Sequence, residues 1–153
     1  MMSKQQVAPL GASLGAGVVL LALAVGTPPA AAEAPPGRYQ IASEEVLDTQ
    51  TGLAWQRVSS AETMSWADAQ AYCKGVWRVP SMKELQTLVD ETKAGPAIDA
   101  TGFADVSAAS GYDYWSSSPV AGLSSLAWWY VEFHWGSDSY GDPTYACRVR
   151  CVR

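Results

Sequence analysis

An α+β fold, two short helices set beside small antiparallel sheets with long loops between them, is what this chain predicts, and three observations carry the expectation. Two stretches open with a Ser-x-x-acid pattern, the reciprocal cap of a helix N-terminus, and continue with apolar residues at helical spacing. Late in the chain, runs of aromatic and β-branched residues alternate with Gly, Asp and Pro, as short strands do with their turns. Between these regions lies a segment poor in large apolar side chains.

The start of the chain is not expected to join the fold. Lys4 is the only charge before Glu33, and the Leu-, Val-, Ala- and Gly-rich run from Leu10 to Val25 ends in Thr27-Pro28-Pro29. That is the layout of a secretory signal peptide, with Ala30-Ala31-Ala32 as the small residues before cleavage. The run is shorter than the roughly 20 residues that a membrane-spanning helix needs. Residues 1–32 are therefore expected to be removed, leaving a protein secreted or held in the periplasm, with no membrane span after cleavage. Residues 33–43 read as a short leader, and the domain as 44–153.

Tyr39 to Val46 is expected to form a first strand, and Asp48-Thr49-Gln50-Thr51-Gly52 a turn into Leu53-Ala54-Trp55. Ser65 opens the first helix with Asp68 as its cap partner; Trp66, Ala69 and Cys73 share one face, and Gly75 stops it. Trp77 to Pro80 is an extended link, because the residue before proline avoids the helical region. Ser81 and Glu84 make the second capping box, followed by the stripe Met82, Leu85, Leu88 and Val89 up to Asp90. Glu91 to Ser110 reads as a long surface loop. Strands are expected at Tyr112–Ser117 and Ala127–Trp135, then a turn-rich connection from Gly136 to Thr144, then a closing strand from Tyr145 to Val152.

Strand alternation divides Ala127–Trp135 into a core set, Trp129, Val131, Phe133 and Trp135, and a second set, Trp128, Tyr130, Glu132 and His134. Flat rings beside a carboxylate and an imidazole suit stacking on sugar faces, so the second set is the candidate ligand face. A second packed layer is the competing reading. Tyr112, Tyr114, Tyr140 and Asp142 are expected to complete a rim. Arg148 and Arg150 alternate onto one face, which reads as a solvated edge.

Composition narrows the function. The chain has 153 residues, 48% of them apolar, with 15 acids against 10 Lys and Arg. Nucleic acid is disfavoured as a partner, because phosphate neutralisation needs clustered bases. Seven Trp and seven Tyr exceed what a small core requires, so some rings are expected at the surface. One His and three Cys show no zinc spacing. Asp99, Asp105, Asp113, Asp138 and Asp142 lie in predicted loops or turns, where calcium is the conceivable cofactor, although no EF-hand spacing gathers them. His134 has no nucleophile motif beside it, and Ser116-Ser117-Ser118 reads as strand edge and turn, so no catalytic set emerges.

Four segments carry a resemblance. They are DTQTGLAWQ from Asp48 to Gln56, MSWADAQAYC from Met64 to Cys73, WRVPSMKELQTLVD from Trp77 to Asp90, and Tyr114 to Arg153 with YWSSSP, AWWYVEF and CRVRCVR. In this order they resemble the Lcl C-terminal domain family, named for a bacterial collagen-like adhesin. The resemblance implies an exported bacterial domain akin to C-type-lectin-like and sulfatase-modifying-factor folds. It implies a role in adhesion through carbohydrate binding, sulfated polysaccharide in the best-known member, a ligand that the acid excess here suits poorly. The oxidase hosted by the sulfatase-modifying fold uses paired cysteines with no counterpart here. The short Lys74-Gly75-Val76 link departs from the family pattern. Export places the cysteines in an oxidising compartment. Cys147 and Cys151 are too far apart along a strand to pair with each other, so Cys73 has either as a partner, and the family's closing RCVR block favours Cys73–Cys151. The expected function is a non-catalytic module that binds polysaccharide or another cell-envelope surface. The alternative is an assembly protein whose aromatic face meets an envelope protein, with an enzyme third. The oligomeric state is left open.

Overall fold

The computed structural model describes residues 35–107 and 111–153; the expected signal peptide and the first residues of the leader lie outside the described residues. Over these residues the architecture is α+β: two three-stranded antiparallel sheets and two short helices. Strands β1 (Tyr39–Ile41), β2 (Glu45–Asp48) and β3 (Ala54–Gln56) form the first sheet in that order. Strands β4 (Asp113–Pro119), β5 (Trp128–Glu132) and β6 (Ser137–Gly141) form the second. Helices α1 (Trp66–Tyr72) and α2 (Met82–Gln86) lie between them in sequence. Among the described residues no helix is long and apolar enough to cross a membrane.

Local chemistry explains most of these elements. The Ser65 hydroxyl accepts from the Asp68 N–H at 3.2 Å, and Ser81 and Glu84 complete a full capping box. Arg78 grips Glu84 with two bonds of 2.8 and 2.6 Å. The expected first strand is instead two, because the chain reverses at Ala42–Glu44 and sets Ile41 opposite Val46. Helix α2 stops at Gln86 rather than Asp90. Leu88 and Val89 donate to carbonyls three residues back, so tighter turns continue the path and still bury Leu88.

Three expectations fail for tertiary reasons. The 91–107 segment has no strand or helix, yet Ala97, Ile98, Phe103 and Val106 are buried. Its backbone can leave water because its polar groups find partners: Ala97 N–H donates to Phe133 O at 2.6 Å, and the Asp99 carboxylate accepts from Thr101 and Gly102 N–H. Strand β6 occupies part of the expected turn-rich connection, paired with β5 from Glu132–Ser137 to Trp128–Gly141. Gly136 makes the reversal at φ +75°, and a Cβ there would stand 2.6 Å from Val89 Cγ1, so only glycine fits this turn.

The third is the closing segment, which is not a regular strand but a suture. Cys147 exchanges hydrogen bonds with Met64, and Arg148 bonds on either side of Tyr114, through Asp113 O and Trp115 N–H. Further on, Val152 exchanges bonds with Arg78, and Arg153 with Ala54. The same few residues thus fasten β4, the 77–80 link and β3. Their side chains alternate. Cys147, Val149 and Cys151 enter one core cluster with Ala69, Val79 and Trp115, while Val152 enters the other with Trp55, Leu85, Phe103, Tyr114 and Val131.

Both faces of this segment are covered, so the expected solvated arginine edge does not exist. Arg150 is wholly buried, donating to the Gln56 and Arg57 carbonyls and to Asp105, each at 2.6 Å, with its guanidinium over the Phe103 ring at 4.8 Å. Arg148 is half-buried and donates to Ser60 O. Burial alone would push the Asp105 carboxyl up, but the Arg150 charge and the Ser59 hydroxyl outweigh it and hold it below the usual carboxylate range.

Candidate functional site

Strand β5 puts Trp128, Tyr130 and Glu132 on the outer face of the second sheet, opposite Gly141, Ser139 and Ser137 of β6, with Tyr130 also opposite Trp115 of β4. Four rings meet there in two stacked pairs. Trp128 lies on Trp66 of α1 with centroids 4.1 Å apart, and Tyr130 on Tyr145 at 5.3 Å. Trp115 stands edge-on beneath both tyrosines. Gly141 makes room for this stack, since a Cβ there would lie 3.0 Å from the Tyr145 Cβ. Trp66 and Trp115 are pinned by their indole N–H groups, which donate to Ser116 O and Met64 O.

The second set is thus neither a fully packed layer nor a bare surface. Trp128 and Tyr130 are half-buried: one side covers the inner cluster of Trp115 and the cysteines, and the other reaches the surface. Tyr145 is 41% exposed and forms the outermost ring.

Carboxylates border the rings. Asp113 accepts from the Tyr145 hydroxyl at 2.9 Å and is the cross-strand partner of Glu132. Burial pushes the Asp113 carboxyl up; the Tyr145 bond opposes that, and the negative charge of Glu132 adds to it. The Tyr145 hydroxyl is pushed up as well, first by its bond to Asp113 and then by burial. Glu132 has a second task. Its oxygens accept from the His134 and Trp135 N–H groups at 2.6 and 3.2 Å, which shapes the turn into β6.

The remaining candidates scatter. His134 contacts Tyr112 edge-on at 4.9 Å and lies against Gly95, so these two form a side cluster at the sheet end. Tyr140 is exposed but meets Trp129 on the opposite face of the sheet. Asp142 is exposed and spends its Oδ1 on Thr144 within its own turn. Tyr114 is wholly buried, shares a hydrogen bond with Ser59 at 3.2 Å and cannot serve as rim.

Trp135 is not core. It stands 70% exposed on the turn, because β5 ends at Glu132 and the alternation ends with it. Trp66, Asp113 and Tyr145 join the face although sequence reasoning assigned them elsewhere. Tyr145 follows the turn residues Asp142-Pro143-Thr144 directly, and its aromatic ring was the only local signal that it carried.

Asp99, Asp105, Asp113, Asp138 and Asp142 are each held in separate local bonds or strands, and among the described residues no group of three or more metal-ligating side chains converges. The triple serine is occupied structurally: Ser116 donates to Trp129 O, Ser117 to Pro80 O, and Ser118 accepts from Met82 N–H. A cleft bounded by Pro35, Tyr39, Ile41 and Asp99 holds about 180 Å³ and lies apart from the ring face.

The disulfide joins Cys73, at the end of α1, to Cys151, with Cα atoms 5.7 Å apart. Cys147 is a buried thiol in the same cluster, and burial pushes its ionisation up. The bridge ties the helix that carries Trp66 to the suture that follows Tyr145 in the chain. No curated protein matches the chain. Residues 44–153 match the family model of the Lcl C-terminal domain, and the chain belongs to that family.

Proposed function

We propose that this is an exported, non-catalytic binding module, lectin-like in its manner of recognition and related to the C-type-lectin-like folds, that holds carbohydrate on the outer face of the second sheet. The observation that carries this reading is the two stacked ring pairs, Trp66–Trp128 and Tyr130–Tyr145, reaching the surface along β5, the second pair beside Asp113. Rings that are already stacked lose little conformational freedom on binding, and the carboxylates can orient hydroxyl groups. The signal-like start of the chain supports periplasmic or extracellular placement. The test is a glycan array on the purified exported protein, with its mass measured by size exclusion. Glycan binding by a monomer that falls several-fold in Trp128→Ala and Tyr145→Ala, with only a few degrees lost in Tm, is the expected result.

Exposed Trp135, Tyr140 and Leu126 favour a second reading, a protein interface around β5 and β6. A stable oligomer with no glycan bound would support it.

A further inference from the structure

We propose that the ring face selects glycans bearing free amines, polymers of amino sugars in their cationic form, over neutral or sulfated ones. The proposal rests on the carbohydrate reading above and specifies its ligand. Its ground is how the chain distributes charge. From Tyr112 to Cys147 there is no Lys or Arg, while Asp113, Glu132, Asp138 and Asp142 all fall within that stretch. These residues make up the whole second sheet and its turns, with His134 as the only basic side chain. Arginines and a lysine of the described domain pair with acids elsewhere: Arg38 on Asp48, Arg78 on Glu84, Lys93 on Asp90, Arg150 on Asp105, and Arg153 on Glu45.

The ligand's chemistry follows from that arrangement. An ammonium group is attracted both to the negative face of an aromatic ring and to a carboxylate, and this face offers the two side by side. Asp113 Oδ2 accepts from Tyr145 while the Glu132 charge lies across the strand pair, so a cation placed at the Tyr145 edge relieves the repulsion between the two acids. A sulfate group would meet that repulsion with no Lys or Arg in the three strands to offset it, while Arg148, which pairs with β4 beside Asp113, turns its guanidinium to the Ser60 carbonyl. The ring pairs follow one another along β5, at Trp128 and then at Tyr130, a spacing that suits a linear polymer lying along the strand.

The experiment is calorimetry on the full exported protein with three probes at low salt: a glucosamine oligomer, its N-acetylated counterpart of equal length, and heparin. The glucosamine oligomer is expected to bind about tenfold tighter than the N-acetylated one, the change made by one charge-assisted hydrogen bond. Heparin is expected not to bind. Asp113→Asn keeps an oxygen for the Tyr145 hydroxyl and should reduce the preference toward unity; added salt should do the same. Equal or tighter binding of the N-acetylated oligomer, or binding of heparin, overturns the amine selectivity and leaves the carbohydrate reading standing. Failure of all three probes to bind overturns the amine selectivity, and the carbohydrate reading falls with it only if the glycan array is also empty.

Discussion

Along β5 and the turn that follows, neighbouring residues meet opposite fates. Val131 and Phe133 are wholly buried, packed with Leu85, Ile98 and Tyr114, whereas Trp128 and Tyr130 on the other face are only half covered, by rings from α1 and the closing segment. The inner face is closed by apolar side chains drawn from many parts of the chain. The outer face is closed by aromatic rings whose far sides stay in water. A strand of five residues thus divides a closed core from a half-covered ring face by its two-residue period, and if the ring face binds as proposed, affinity and stability should separate along the same line.

The largest effect is expected on the inner face. Phe133→Ala should cost about 3–5 kcal/mol, since it empties a filled site among Tyr114 and its neighbours. Denaturant unfolding would measure it, and ligand affinity per folded molecule should stay unchanged. An affinity loss would show that the two faces are coupled.

Next comes Cys73→Ser. It opens a loop of sequence separation 78, and chain-entropy reasoning puts the cost at about 4 kcal/mol. Because the bridge joins α1, which carries Trp66, to the suture that follows Tyr145, the variant should also weaken ligand binding, unlike Phe133→Ala. Unchanged affinity would show that the ring pairs hold themselves in place.

Tyr145→Phe should cost only about 1 kcal/mol, as one partly exposed hydrogen bond does. The smallest effect is a pH dependence. The Asp113 carboxyl is raised in the folded protein, so its contribution to stability is present below the ordinary carboxylate value and is lost as pH rises through the raised one. Wild type should therefore lose stability relative to Asp113→Asn across that window, and the two Tm profiles should run parallel above it. Profiles that run parallel throughout would remove the carboxylate repulsion from the account of the outer face.

What the sequence made legible was local. Both helix starts were readable because a capping box needs only residues three apart, and Ser81 with Glu84 closes as its spacing demands. Strands β4 and β5 were readable from aromatic and β-branched content. The Ser-Asp-Ser-Tyr-Gly segment has the composition of a turn and becomes β6 only because the Gly136 reversal lays it along β5. Ile98 and Phe103 sit in a segment that reads as surface, and only tertiary hydrogen bonds allow it inside. Arg150 looked solvated because its partners, Asp105 and the 56–57 carbonyls, are distant in sequence. At the candidate site, alternation grouped Trp128, Tyr130 and Glu132 on one face, which is where the strand register puts them. It misplaced Trp135 because the strand ended sooner than the pattern of side chains did.

The suture from Cys147 to Arg153 also has a kinetic consequence. Ala54 of β3 pairs with Arg153, and Arg148 bonds on either side of Tyr114 of β4, so the suture fastens both sheets through contacts that close long loops. Proteins dominated by such distant pairings fold slowly, because the entropy of loop closure is lost before the contacts reward it. Each sheet pairs strands that are consecutive in the chain, but both are joined to the rest through the suture, so complete folding should wait on its docking. Stopped-flow refolding with the disulfide intact should be markedly faster than with it reduced, since the bridge holds the suture near its docking site from the outset. Equal rates would mean that the suture docks only after the rate-limiting step.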